Sequence, residues 1–209
     1  MVVDAWQLVK SEKSPTARIF VAVPLPEALC RELSALESRF VLGRPFLRWV
    51  RADLMHVTVR FLGSTVLDRV PLVTEATERA VKRAQPHTLH LADLGGFPNA
   101  ESPRILWVGL QRDAGYRDLA VLFERLNVEL THHGFLEEKH AFTPHITLAR
   151  VRDDARGNDR RVIGEELATE RAFLPDHSDV PVRELIVMRS DLSPSGPTYT
   201  PIASATLGS

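Results

Sequence analysis

Two runs of this 209-residue chain repeat each other, His56-Val57-Thr58-Val59 and His145-Ile146-Thr147-Leu148, starting 89 positions apart. Both are short and rich in β-forming residues, and each follows a stretch with helical periodicity. The repeat therefore predicts two related halves facing each other across a pseudo-twofold axis. In a strand, residues i and i+2 share a face. His56 then points with Thr58 and His145 with Thr147, while Val57, Val59, Ile146 and Leu148 pack inward. One His-x-Thr pair from each half would line a single cleft.

The rest of the chain reads as a mixture of strands and helices. Arg18 to Val23 is a β-rich run ended by Pro24-Leu25-Pro26. Leu29, Leu33, Leu36 and Phe40 recur at helical spacing, with Gly43 as a stop signal. Short strands are predicted over Leu47 to Val50 and His56 to Phe61, and a helix from about Leu67 to Ala84. Leu89 to Leu94 alternates until Gly95-Gly96 breaks it, and Arg104 to Leu110 reads as a buried strand. Leu119, Leu122, Phe123, Leu126 and Leu130 form the clearest apolar stripe, closed by Gly134. His145 to Arg150 is a further strand, followed by a basic loop, Arg152 to Arg161, expected to be mobile. Glu184 to Arg189 and Thr198 to Ala205 read as a hairpin with a wide turn at Ser193 to Pro197. Without regular βαβ alternation the fold class is α+β. Residues 1–15 read as an N-terminal extension and 16–209 as one bilobal domain with its helices outside.

With 26 Lys and Arg against 27 Asp and Glu, the net charge is −1, so any contact with a polyanion is local and short. The one cysteine, Cys30, excludes an internal disulfide and a Cys-rich zinc site and fits a reducing cytoplasm. No apolar run is long enough for a membrane span, and the start of the chain does not read as a signal peptide. A monomer without metal or cofactor is expected.

Paired histidines suit the cleavage of a cyclic phosphodiester. With a reference pKa of about 6.5, one imidazole can be neutral as base while the other is charged as acid. One takes a proton from attacking water and the other protonates the departing ribose oxygen, each typically worth about 10²- to 10⁴-fold. The threonine hydroxyls can donate to the non-bridging oxygens.

RIFVAVPLP at the first strand, RWV at Arg48 to Val50, HVTVRFLG from His56, LGGFPNAESPRILWVGL from Leu94 and FTPHITLAR from Phe142 together resemble the RNA 2′,3′-cyclic phosphodiesterases. These are also called 2′-5′ RNA ligases and belong to the two-histidine phosphoesterase superfamily. The resemblance runs from about Arg18 to Arg150 and weakens beyond. It implies two α+β lobes with antiparallel sheets around a central cleft, and hydrolysis of RNA 2′,3′-cyclic ends to 2′-phosphomonoesters. It assigns His56 as proton donor to the leaving oxygen, His145 as the base that activates water, and Thr58 and Thr147 as phosphate ligands. The implied partners are RNA 3′ ends or small cyclic-phosphate nucleotides.

Arg60 and Arg150 are further candidate phosphate ligands. Strand parity puts Arg60 on the face of His56 and Arg150 opposite His145 unless the strand bends. Phe61 and Phe142 are candidates for stacking on a base, against the commoner reading of buried aromatics; Trp49 and Trp107 read as core. His132 and His133 end the strong helix, and His87, His90, His140 and His177 lack a partnered motif. Three other functions stay open. One is end joining through a 2′-5′ linkage with the same histidines. Another is turnover of a small cyclic nucleotide or an ADP-ribose-derived cyclic phosphate. The third is RNA-end binding without turnover. Two histidines without a carboxylate motif make a poor metal site.

Overall fold

The apolar runs of the sequence become the inner faces of one curled antiparallel sheet in the computed structural model, which describes residues 14–173, 175–194 and 196–208. Residues 1–13 of the expected extension, and Ser195 of the expected turn, lie outside the described residues. In chain order the elements are β1 (Thr16–Pro24), α1 (Glu27–Ala35), β2 (Leu47–Trp49), β3 (His56–Val66), α2 (Val70–Val81), β4 (His87–Phe97) and β5 (Ile105–Leu110). They continue with α3 (Ala114–His132), β6 (Ile146–Val151), α4 (Gly157–Glu170), β7 (Asp179–Val182), β8 (Glu184–Ser193) and β9 (Gly196–Thr206).

The sheet order is β7-β4-β5-β6-β3-β1-β8-β9, with β2 also paired to β6. The two halves expected from the repeat are visible in that order. β3, β1, β8 and β9 form one, and β6, β5, β4 and β7 the other. They meet edge to edge where Val57 of β3 pairs with Ile146 of β6. The α+β class with antiparallel sheets is therefore as expected, and its two lobes share one continuous sheet.

The helices form where the apolar spacing asks for them. In α3, Leu119, Leu122, Phe123, Leu126 and Leu130 are buried. Its first turn is capped by Asp113, whose carboxylate accepts from the Tyr116 amide at 3.0 Å. Gly134 follows the helix with φ of 73°, the left-handed conformation that its missing Cβ permits. In α1 the helical stripe ends early, and Leu36 and Phe40 reach the core from a 3₁₀ turn over Leu36–Arg39 and the residue after it.

Two expectations are corrected. Gly95 and Gly96 do not break β4; both pair with β5, across from Trp107 and Leu106. A Cβ on Gly95 would lie 2.3 Å from the Trp107 ring, so glycine here makes room for an indole rather than a turn. The second half of the loop expected at Arg152 to Arg161 is the first turn of α4. That helix buries only Ile163, Gly164 and Leu167, and its start is fixed by Asp159, which accepts from the Arg156 amide at 2.7 Å. So narrow an apolar stripe carries almost no periodic signal. β7 was not anticipated, because four residues containing a proline give no alternation to read.

Candidate active site at the junction of the half-sheets

The two His-x-Thr segments come together because the strands carrying them are neighbours. Val57 pairs with Ile146, and extending that antiparallel register by one residue each way sets His56 across from Thr147 and Thr58 across from His145. Val57 and Ile146 are fully buried, so both polar pairs lie on the opposite, open face. A local twofold axis thus passes through the junction.

Each imidazole is anchored in the same way. Nδ1 of His56 lies 2.8 Å from the carbonyl oxygen of Leu54, and Nδ1 of His145 lies 2.8 Å from that of Thr143. A carbonyl only accepts, so each Nδ1 carries the hydrogen and each Nε2 is the nitrogen that gains or loses a proton. Nε2 of His56 is 3.0 Å from the Thr58 hydroxyl, which donates to it when the ring is neutral and accepts from it when the ring is charged. Both rings stand against aromatic walls. His56 stacks on Phe20 with centroids 4.9 Å apart and meets the edge of Tyr199 at 5.4 Å. His145 meets Phe97 at 5.1 Å and Trp107 at 6.2 Å. Burial among these rings pushes both histidine pKa values below the ordinary one. The carbonyl bond opposes the shift in each case, and a nearby positive charge adds to it, from His145 for His56 and from Arg150 for His145.

Two cavities flank the pair, one beside each histidine. One, of about 460 Å³, is lined by Leu25, Cys30, Met55, His56, Met188 and Tyr199, among others. The other, of about 430 Å³, is lined by Gly95, Phe97, Trp107, Tyr116 and His145, among others. Both are within the size range of small-ligand sites.

The structure inverts the parity expected for the two arginines, and the reason is a β-bulge in each strand. Along β3 the partners on β1 shift between Val21 and Ala22, which leaves Val59 as an extra residue; both Val59 and Arg60 are buried. Arg60 is thereby turned away from His56. Its guanidinium donates to the carbonyls of Leu136 at 2.7 Å and Phe61 at 3.1 Å and pairs with Glu138 at 2.5 Å. It holds the loop after α3, away from the face on which it was expected to meet a phosphate. Along β6 the register with β5 shifts between Leu106 and Trp107, so Leu148 and Ala149 are buried in succession and Arg150 emerges on the face of His145 and Thr147.

The aromatics divide similarly. Phe61, five residues after His56 and past the bulge, is 47% exposed, with the Arg18 guanidinium 5.3 Å from its ring centre. Phe142 is stacked face to face on Phe123 of α3, with centroids 4.2 Å apart and planes 9° apart, so one face of its ring is taken by the core. Trp49 packs edge-on against Phe40 at the core, while Trp107, read as core, lines the cavity beside His145. Phe20, Tyr199 and Phe97 were missed. A lone aromatic in a strand carries no sign of which face it occupies, and Tyr199 comes from the C-terminal hairpin, where the sequence resemblance was weakest. The other histidines sit elsewhere: His90 on Asp113, His140 on Glu138, His177 on Glu32, and His132 and His133 at the end of α3. Among the described residues no three His, Cys, Asp or Glu side chains converge as a metal site would require, and no helix is long and apolar enough to cross a membrane.

Comparison with known proteins places this arrangement in a family. The family model described as LigT like Phosphoesterase matches residues 23–107. The RNA 2′,3′-cyclic phosphodiesterase of Thermotoga maritima is 31% identical over 183 residues, covering 87% of this chain and 91% of that one. The enzyme of the same name from Methanothermobacter thermautotrophicus is 26% identical over 185 residues, covering 88% and 95%. A match of that length reaches well beyond Arg150, further than the sequence motifs alone indicated. A crystal structure of a Thermus thermophilus protein superposes with a TM-score of 0.72 at 25% identity, covering 91% of this chain and 98% of that one. E. coli LigT in complex with 3′-AMP shares the fold, with a TM-score of 0.71 at 23% identity and coverage of 93% and 100%. This chain belongs to the LigT-like family of RNA 2′,3′-cyclic phosphodiesterases.

Proposed function

We propose that this protein hydrolyses the 2′,3′-cyclic phosphate at an RNA 3′ end to a 2′-phosphate and a free 3′-hydroxyl, with His56 and His145 as the acid–base pair and without a metal ion. The observation that carries the reading is the pairing of Val57 with Ile146, because it sets two imidazoles and two threonine hydroxyls on one face. In this reading the phosphorus sits between the histidines. Nε2 of neutral His145 takes a proton from water as the water oxygen attacks phosphorus. The P–O3′ bond breaks, and Nε2–H of charged His56 gives its proton to O3′. The phosphate's own negative charge favours the protonated form of His56, offsetting the burial that depresses it. Thr58 and Thr147 donate to the non-bridging oxygens, Arg150 adds positive charge on the same face, and Phe61 offers an exposed ring to the base.

The parallel reaction, in which the 5′-hydroxyl of a second strand replaces water as nucleophile, breaks the same P–O3′ bond and forms a 2′-5′ linkage, would use the same pair. The cavity of about 430 Å³ beside His145 favours it as a second reading, since this is the side from which the nucleophile enters.

The test is an RNA oligonucleotide ending in a 2′,3′-cyclic phosphate, incubated with excess chelator and wild type, His56→Ala or His145→Ala. The expected result is a 2′-phosphate from wild type and a loss of at least about 10²-fold in each variant. Full activity in either folded variant, or dependence on an added divalent ion, would overturn the mechanism.

A further inference from the structure

The two histidines and two threonines account for one phosphate, but the open face continues past them. Arg48 of β2 lies directly across β6 from Arg150, and directly opposed residues in an antiparallel pair point to the same face. Because of the bulge at Leu148 and Ala149, that face is the one carrying His145 and Thr147. Like charges set opposite each other weaken a sheet, whereas three other arginines are paired. Arg51 pairs with Asp53 at 2.6 Å, Arg152 with Asp154 at 3.1 Å and Arg44 with Glu37 at 3.2 Å. Arg150 has no carboxylate at ion-pair distance among the described residues. Arg48 lies 3.9 Å from Asp153, whose side chain is 98% exposed, and its charge is also felt by Asp154, which is itself paired with Arg152. Two arginines therefore project from directly opposed positions on one face, Arg48 with only exposed carboxylates near it, in a protein whose net charge is −1.

Their position relative to the reacting atoms fixes what they can hold. One step along the face of a strand is about 6.6 Å, so Arg150 lies roughly one phosphate spacing of a single strand beyond Thr147. His56, toward which O3′ departs in the proposed reaction, sits across from Thr147 at this same end of β6. The ribose, and whatever is attached to its 5′ carbon, then leaves the site over Arg150 and Arg48.

We propose that Arg48, together with Arg150, grips the phosphate on the 5′ side of the terminal ribose, so that the site selects an RNA end carrying that phosphate over a nucleoside 2′,3′-cyclic phosphate that lacks it. This rests on the hydrolysis proposed above. Guanidinium groups suit the task because their forked donors match phosphate oxygens.

Three substrates test it: a nucleoside 2′,3′-cyclic phosphate, the same compound with a 5′-phosphate, and a dinucleotide ending in the cyclic phosphate. Wild type is expected to show kcat/KM about tenfold higher for the two substrates with a 5′-side phosphate, the size of one charged hydrogen-bonded contact. In Arg48→Ala that ratio falls toward one, chiefly through KM, and Arg48→Lys restores part of it. A gain confined to the dinucleotide identifies the ligand as a backbone diester; a gain for both identifies any phosphate at that position. Equal losses on all three substrates in Arg48→Ala, or an unchanged ratio, would overturn the inference while leaving the hydrolysis intact. No turnover of any substrate by wild type would instead remove the reading on which it rests.

Discussion

At the scale of single residues, the candidate site places two ordinary imidazoles in unusual surroundings. Their Nδ1 atoms are fixed on carbonyls, and their rings are desolvated by Phe20 and Tyr199 on one side and by Phe97 and Trp107 on the other. Burial disfavours the charged ring, so both titrate below the reference value of about 6.5. The proposed reaction needs His145 neutral and His56 charged. As pH falls, His145 takes up a proton and activity is lost; as pH rises, His56 loses its proton and activity is lost again. With both pKa values lowered, kcat/KM should follow a bell whose maximum lies below about pH 6.5. Once the phosphate is bound its charge raises the His56 pKa, so the falling limb of kcat should lie at higher pH than that of kcat/KM. The two limbs belong to the pair rather than to either ring. A kcat/KM profile that climbs steadily through pH 8 would contradict this assignment.

At the scale of the elements, the bulges decide which side chains serve the site. The extra residue in β3 hides Arg60 and exposes Phe61, while the one in β6 hides Ala149 and exposes Arg150. Arg60 then serves as a clamp. Its side chain is 8% exposed, and Glu138 is its counter-charge on the loop that leads from α3 toward the second motif. That same carboxylate's pKa is lowered, chiefly by its bond to His140 and also by Arg60. Glu138→Gln leaves a buried guanidinium without its partner, and since Glu138 is partly exposed the expected cost is about 2–3 kcal/mol, below the full cost of breaking a deeply buried pair. Urea unfolding of wild type and variant measures it. A midpoint unchanged by the substitution would mean that solvent neutralises Arg60 and that the loop is held by its carbonyl bonds alone. The bulge in β3 was illegible in the sequence, because His-x-Thr-x-Arg reads as unbroken alternation until the partner strand reveals the extra residue; in β6 the successive apolar Leu148 and Ala149 hint at one, but only the register with β5 fixes it. α4 was illegible for a different reason: its apolar stripe is only two large residues long.

At the scale of the molecule, the proposed reaction has a near-neutral protein meet a polyanion through a small patch. The net charge of −1 offers no general attraction, and the positive groups that the proposal uses on the open face are local, Arg48 and Arg150. Counterion release on a single strand scales as about 0.7 per phosphate neutralised. The plot of log kcat/KM against log salt for an oligonucleotide substrate should therefore have a shallow slope, between about −1 and −2. A slope several times steeper would point to a long basic footprint that this surface does not provide.

The sequence by itself determined the alternation of strands and helices, the α+β class, the two-part architecture and the histidine pair. These depend on short-range periodicity and on a repeated motif, and both are properties of neighbours along the chain. Only the tertiary structure decided that the two motifs meet through one pairing at Val57 and Ile146, that aromatics from β1, β4, β5 and β9 wall the imidazoles, and that Arg150 faces the site while Arg60 does not. Strand order, register and bulges are relations between segments far apart in sequence, fixed by how the two half-sheets pack together, and nothing in the local pattern of either segment encodes them.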